Sequence, residues 1–456
     1  MDGRLLQQGF VGHTAGIGQA FSTNTQQSHD KSFKKAYDKH MAGNMSAART
    51  LYERILKKNA THVDARYMLG TLLAETGLLE LGLMHLQSAA KHMPTSPMIH
   101  TNIGHVHMKL GQLDQAVNSY QKALKLNPQS PDILFNLGAI FHEQGKMEEA
   151  ATHIDNSLEL RPDFPAAYPL LSKIQRELGH PELAAACLIK LLEYTPRSIN
   201  TLFELGNLLA AHQDYTNAAI YFKRILDIDP LNGSAHHALA ALSGQTTVTA
   251  PRKHVEDLFD GLSENFDRHL MELGYRTPEL LTEMLVDLVG DQFRFDHAID
   301  LGCGTGLSGA PVRPICTQLS GLDVSQKMVD VARSKNIYDE LYKDDINQHL
   351  KSSHQQYDLF IAEDVFIYVG ELSGVFKLIK AHAKPDSYFI FSTELATEQN
   401  YTLRPTGRYA HSRNYIETLA IKSGFSIVAS QITDLRMEAM QAIKGELFVL
   451  KLCSDE

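Results

Sequence analysis

With 456 residues, 43% of them hydrophobic and 21% charged, the chain holds material for two to four domains and lies outside the composition of disordered or collagen-like sequences. Its 43 basic and 53 acidic side chains leave a net charge of −10, which argues against non-specific binding to nucleic acid or anionic membrane. The excess is local: residues 1–250 carry 22 of each sign, whereas residues 251–456 carry 21 basic and 31 acidic.

The first 28 residues are expected to form a disordered segment. They lack the apolar stretch of a signal peptide, and no window reaches the roughly 18–20 apolar residues of a membrane span. Cys187, Cys303, Cys316 and Cys453 are too scattered for a zinc knuckle or a redox pair. A cytoplasmic protein without membrane partner or metal is expected.

Residues 29–244 repeat with a period of 34. Gly70, Gly104, Gly138, Ser172 and Gly206 fall in one register, and Pro94, Pro128, Pro162, Pro196 and Pro230 in another. Tyr52, Leu86, Tyr120, Ile154, Leu188 and Phe222 each stand four residues after a small residue. Gly77, Gly111, Gly145 and Gly179 end the first helix of each unit, and the prolines stop the second. This unit resembles the tetratricopeptide (TPR) repeat, a helical hairpin that stacks into a solenoid; six copies and a capping helix are expected, although no Trp is present. The resemblance implies a concave groove carrying Tyr67, His105, Phe135, His142, Lys173, Arg176, Phe203 and Asn207, and a protein or peptide as its ligand.

Gln245–Pro251 reads as a linker. Residues 252–456 begin with a helical stretch to about residue 289. Short β-rich runs follow at 297–301, 318–323, 357–362, 387–393, 425–432 and 446–452, mostly separated by helical segments, as in a doubly wound α/β domain. The last two runs lack a convincing helix between them and suit an antiparallel hairpin.

The first run ends in Asp300-Leu301-Gly302-Cys303-Gly304-Thr305-Gly306, a glycine turn that lets a ligand approach backbone at a helix N-terminus. Gly304-x-Gly306-x-x-Gly309 also satisfies the dinucleotide expression, with Asp323 downstream, but Asp300 separates the strand from the first glycine, and Pro311 and Pro314 break the helix that should follow. Residues 297–350 resemble a class I S-adenosylmethionine-dependent methyltransferase with a Rossmann-like sheet. The resemblance implies that Asp300, Gly302, Gly304 and Gly306 form the cofactor turn. It places Asp323 and Val324 at the ribose, Met328 beside the adenine, Asp345 (or Asp344) and Ile346 at the adenine amino group, and Glu363 and Asp364 near the methyl group. His254–Asp260, Asn265–Leu270, Leu273–Pro278, Ser392–Glu394, Leu403–Ser412 and Tyr415 are similar to predicted bacterial methyltransferases that also carry TPR repeats.

Methyl transfer asks an enzyme to align a nucleophile and exclude water. His411 is the first candidate base, with Glu363 as a second catalytic candidate; His411 can equally bind loop backbone, and Arg404 and Arg408 can hold a substrate anion or tie their loop to Glu394. Glu363-Asp364-Val365-Phe366 replaces the D/N-P-P-Y/F of adenine-N6 and glutamine-amide methyltransferases, so a nucleic-acid substrate is not expected. Three readings follow: a methyltransferase whose TPR array recruits a protein or peptide acceptor or its carrier; a small-molecule methyltransferase with the array for assembly; and a scaffold whose domain binds S-adenosylmethionine without turnover.

Overall fold

The computed structural model describes residues 31–263, 265–397, 400–438 and 441–453. The expected disordered segment 1–28 lies outside these residues. The chain divides into two compact units, Met1–Pro196 and Arg197–Glu456.

Among its described residues, the first unit is a series of helical hairpins: Lys31–Met41 with Met45–Lys58, Val63–Glu75 with Leu79–His92, Pro97–Lys109 with Leu113–Leu126, Pro131–Glu143 with Met147–Leu160, and Ala167–Glu177 with Pro181–Tyr194. Backbone geometry explains the period. A Cβ at Gly138 would stand 2.6 Å from Ile154 side-chain atoms, so the two helices of a hairpin approach closely only where the residue is small. Ser172 takes the same slot by donating its hydroxyl to Ala184 O at 3.0 Å.

The second unit opens with another hairpin in the same frame, Ile199–Ala211 with Tyr215–Ile228, followed by Gly233–Leu242. The expected linker 245–251 is not a free tether. Val248 O accepts from the backbone N–H groups of Gly370 and Glu371, Ala250 N–H donates to Tyr368 O at 2.9 Å, and the Thr247 and Tyr409 hydroxyls share a hydrogen bond of 2.5 Å. The division therefore falls at Pro196/Arg197, ahead of the expected linker, because residues 233–250 pack on the α/β domain around Ala240, Ala241, Leu403 and Tyr409.

Helices Arg252–Leu262, Phe266–Glu272 and Thr277–Val289 precede a nine-stranded sheet. Its strands are β1 Phe295–Leu301, β2 Cys316–Asp323, β3 Glu340–Lys343, β4 Tyr357–Ala362, β5 Ala383–Leu395, β6 Tyr401–Leu403, β7 Tyr409–His411, β8 Phe425–Glu438 and β9 Gln441–Leu452. The order β3-β2-β1-β4-β5 is parallel throughout. β9 pairs antiparallel with β5, and β8 with β9, while the β6–β7 hairpin attaches to the end of β5 through Glu394 and Leu395. The central strands are apolar on both faces: Phe360, Phe389 and Phe391 bury against Phe366, Phe376 and Phe448 on one side, and Leu359, Ile361 and Ile390 against Leu281, Leu285 and Leu319 on the other. Such two-sided burial is what parallel strands require. It aligns the C-terminal ends of β1, β2, β4 and β5, where open α/β sheets bind ligands.

Candidate active site

A cavity of about 540 Å³ opens at those strand ends. Its floor is the turn after β1. Gly302 has φ +89°, and a Cβ there would meet Val365 at 2.6 Å, so only glycine allows the backbone to fold under the cavity. The Gly302 and Cys303 N–H groups donate to Leu322 O at 2.8 and 2.9 Å, which fixes the turn against β2. At the end of β2, Asp323 accepts from Gly304 N–H at 3.0 Å and from Ser325 N–H at 2.8 Å. Burial nevertheless raises its pKa to about 6, with the backbone hydrogen bonds opposing the shift.

The adjacent wall comes from the loops after β2 and β3. Val324, Asp344, Asp345, Ile346 and Asn347 line the cavity. Asp345 caps the helix Ile346–Ser352, its Oδ1 accepting from Asn347 and Gln348 N–H at 2.9 and 3.2 Å. Asp344 Oδ1 accepts from Asp345 N–H at 2.8 Å.

After β4 the chain presents two acids. Glu363 is 5% exposed, lines the cavity, and neither carboxyl oxygen has a hydrogen-bond partner among the described residues. Burial pushes its pKa well above the ordinary range, with Asp300 and Asp364 adding to the shift. Asp364 holds φ +51°, an uncommon backbone for a non-glycine residue. Its N–H donates to Ser392 Oγ at 2.9 Å, and its carboxylate accepts from Arg436 at 3.3 Å. Arg436, on β8, also donates to Glu394, and Arg404 donates to the other Glu394 oxygen at 2.7 Å and to Leu395 O at 2.7 Å.

The helices before the sheet roof the cavity with Val255, Phe259, Leu262, Phe266, Leu270, Leu273 and Tyr275. Polar contacts fasten this roof to the cofactor-type loops. Ser325 Oγ donates to Asp260 at 2.5 Å, Thr305 Oγ1 donates to Asp267, Lys335 meets Asp267 at 2.5 Å, and Lys343 meets Glu256 at 2.8 Å.

Of the residues expected at the cofactor, Gly302, Gly304, Asp323, Val324, Asp345, Ile346, Glu363 and Asp364 meet at this one cavity. Three others stand behind its wall. Asp300 is fully buried and accepts from the Tyr338 hydroxyl at 2.7 Å, with its pKa pushed up to about 7, chiefly by burial. Gly306, φ +92°, closes the turn against Tyr338, and Met328 lies on the buried face of the helix Gln326–Ser334. These positions shape the site without lining it.

His411 differs from the expectation of a base. It is 1% exposed and absent from the cavity wall, and its Nε2–H donates to Gly370 O at 3.0 Å. Burial lowers its pKa to about 4. Arg404 ties its loop to Glu394, whereas Arg408 lines the cavity. Arg436, Tyr275 and Tyr368 also line it and were not among the expected site residues; no local motif marks them, since Arg436 lies 72 residues from the acid it pairs with.

In the first unit, three expected groove residues tie neighbouring hairpins together. Asn102 donates to the Tyr67 hydroxyl at 2.9 Å, Asn136 donates to His105 Nε2 at 3.1 Å, and His142 pairs with Glu177 at 3.2 Å. Phe135 packs on Phe164 with ring centroids 5.0 Å apart, and Arg176 is exposed. Tyr67 and His105 border a cavity of about 290 Å³, together with Met98, Asn102, Gln129 and Asp132. Phe203 belongs to the second unit, half-buried against Phe222.

Comparison with known proteins fits both halves. The family described as "Methyltransferase domain" matches residues 299–391, and tetratricopeptide-repeat families match residues 34–97, 104–145, 133–166 and 170–233. Residues 299–391 thus carry a methyltransferase domain, and tetratricopeptide repeats lie between residues 34 and 233. Among curated proteins, the ubiquinone biosynthesis O-methyltransferase of Shewanella halifaxensis is 26% identical over 174 residues, 35% of this chain and 64% of that relative; the chain thus spans a little under two thirds of the relative's length. Among solved structures, MamA is 22% identical, with a TM-score of 0.34 over 35% of this chain and 92% of MamA. YrrB, described as a TPR protein with an unusual peptide-binding site, is 18% identical, with a TM-score of 0.36 over 41% of this chain and 96% of its own. Among the described residues, no helix is long and apolar enough to cross a membrane, and no cluster of metal-ligating side chains occurs.

Proposed function

We propose that this methyltransferase moves the methyl group of S-adenosylmethionine to an acceptor small enough, or a side chain slender enough, to enter a roofed cavity, and that its repeats bind a protein or peptide that is the acceptor or brings it. The carrying observation is the meeting of Gly302, Gly304, Asp323, Asp345 and the unpartnered Glu363 at one cavity. A cationic, amine-bearing nucleoside fits that set: acidic groups lie along the cavity, and Glu363 offers two buried oxygens without donors.

Bound, the cofactor supplies an electrophilic methyl group on a sulfonium. The residues supply the rest. Asp323 would accept from the ribose hydroxyls, and Asp345 would accept from the adenine amino group. Glu363 would accept from the cofactor's ammonium, which would draw its pKa back towards the ordinary range. The roof from Val255 to Tyr275 excludes water, so acceptor and methyl meet in a low-dielectric space. Calorimetric titration tests the reading: S-adenosylmethionine should bind and NADH should not, and the opposite result would overturn it.

A second reading is small-molecule O-methylation with the repeats serving assembly. It is favoured by the roof over the cavity and by the O-methyltransferase name of the curated relative. Acceptor profiling with labelled cofactor, against small-molecule and protein fractions separately, distinguishes the two.

A further inference from the structure

Glu363 and Asp364 are neighbours in the sequence with different surroundings. Glu363 is 5% exposed, and the charges acting most on it are acidic: Asp300 behind the glycine turn, then Asp364 and Glu279. Asp364 meets other elements. Its carboxylate accepts from Arg436 on β8 at 3.3 Å, and its charge acts on the hydroxyls of Tyr275 and Tyr368. The Asp364 side chain is 20% exposed on the cavity wall, and its Oδ1 has no hydrogen-bond partner among the described residues. Burial raises the pKa of both acids, but Arg436 and Arg408 oppose the rise at Asp364, whereas Asp300 and Asp364 add to it at Glu363. Two acids whose surroundings push their protonation apart are suited to different tasks.

Asp364 is also held in place. Its backbone sits at φ +51° with the N–H donating to Ser392 Oγ at 2.9 Å, and Arg436 is itself anchored on Glu394. Such backbone conformations persist where the surroundings fix them, and they gather at functional sites. The wall that Asp364 shares is aromatic and aliphatic, with Tyr275, Tyr368, Val369 and Met437. Phe259 of the roof packs edge-on against Tyr368, ring centroids 5.4 Å apart. Faces of this kind take up a planar apolar body, and a hydroxyl on that body finds in Asp364 a charged hydrogen-bond acceptor. An aromatic hydroxyl is protonated near pH 7, so methyl transfer to it needs a base.

We infer that the acceptor is a small aromatic hydroxyl compound, its ring seated between Tyr275, Tyr368 and Met437, and that Asp364 is the catalytic residue that receives its proton. This rests on the proposed methyltransferase reading and leaves Glu363 to the cofactor's ammonium. The hydroxyl oxygen forms its bond to the methyl carbon as the carbon–sulfur bond breaks. The electron pair of that bond returns to sulfur, giving the neutral thioether of S-adenosylhomocysteine, and the hydroxyl proton passes to Asp364 and then to water.

The test uses the full chain saturated with S-adenosylhomocysteine, with phenol and its methyl ether anisole as probes, titrated by calorimetry or ligand-observed NMR. Anisole keeps the ring and has no hydrogen to donate. Phenol should bind at least about tenfold tighter than anisole, as a hydrogen bond to a charged group requires. Asp364→Asn, an exchange that the left-handed backbone tolerates, should bring the two probes to within about threefold of each other and change S-adenosylhomocysteine affinity by less than about threefold. Glu363→Gln should do the reverse, weakening S-adenosylhomocysteine and, at saturation, keeping the preference for phenol. The inference is overturned if wild type holds S-adenosylhomocysteine yet binds phenol and anisole alike, or binds neither, or if the preference survives in Asp364→Asn or vanishes in Glu363→Gln. The wild-type comparison decides even if a variant fails to fold. Failure of wild type to bind S-adenosylhomocysteine is a different result: it removes the methyltransferase reading itself, and the acceptor assignment with it.

Discussion

Two side chains of similar promise on paper, Asp323 and His411, part company once burial and partners are known. Asp323 sits on the cavity wall with a pKa near 6, so it is ionised, and a good acceptor for ribose hydroxyls, only above that value. Cofactor affinity should therefore fall as pH drops below about 6. Asp323→Asn should abolish that pH dependence, and Asp323→Ala should weaken binding by about 1.5–3 kcal/mol, the range for hydrogen bonds to a charged group; calorimetry between pH 5 and 8 reads both. His411 is a structural histidine. Its folded pKa, lowered to about 4 from the ordinary 6.5, means that the unfolded chain binds the proton first as pH falls. The stability it contributes is present above pH 6.5 and lost on acidification towards pH 4, by an amount on the order of 3 kcal/mol. His411→Gln keeps a donor for Gly370 O and does not titrate, so its unfolding midpoint should fall less between pH 7 and 4.5 than that of wild type, while methyl transfer is retained. A hundredfold loss of turnover in this variant would restore His411 as the base.

At the level of elements, the roof helices Arg252–Leu262 and Phe266–Glu272 are held by polar contacts more than by burial, since neither contains a fully buried residue. Partly exposed pairs of this kind are worth about 0.2–1 kcal/mol each and are screened by salt. Asp260→Asn with Asp267→Asn should therefore speed release of S-adenosylhomocysteine several-fold, and raised ionic strength should do the same to wild type; stopped-flow displacement measures it, and an unchanged rate in both cases would show that the roof does not gate the site. Much of this architecture is legible in the sequence because its causes are local. The 34-residue period follows from close approach at positions such as Gly138, and the glycine turn follows from the φ that Gly302 must adopt. The six longest strands announce themselves by their β-rich runs. β3, with no buried residue, and the three-residue β6 and β7 carry too little pattern to be seen. The pairing of Asp364 with Arg436 depends on the β8–β9 hairpin reaching back beside β5, a tertiary fact that no spacing encodes. His411 was legible as chemistry and not as burial.

For the whole molecule, the division of the chain at Pro196/Arg197 changes what an excised methyltransferase domain should look like. A cut at the Gln245–Pro251 stretch would remove Val248 O from the Gly370 and Glu371 N–H groups, Thr247 from Tyr409, and His237 from Gly407, and would uncover Leu403 and Tyr409, both buried beside Ala240 and Ala241. Each stranded polar group costs about 1–3 kcal/mol if it stays buried, comparable in sum with the roughly 5–15 kcal/mol that holds a domain folded. Residues 197–456 should thus be the smallest stable fragment that binds S-adenosylmethionine, whereas residues 251–456 should unfold at lower denaturant concentration and show faster hydrogen exchange across 366–371 and 401–411. Residues 31–196, whose hairpins are stabilised by their own nearest neighbours, should fold separately and retain whatever partner the cavity beside Tyr67 and His105 takes. If that partner delivers the acceptor, the 197–456 fragment should keep its cofactor affinity and lose kcat/KM towards the delivered acceptor, because tethering supplies an effective concentration on the order of millimolar. Equal efficiency of fragment and full chain would assign the repeats to assembly. Equal stability of the 251–456 and 197–456 fragments would show that residues 197–250 contribute nothing to the fold of the catalytic unit.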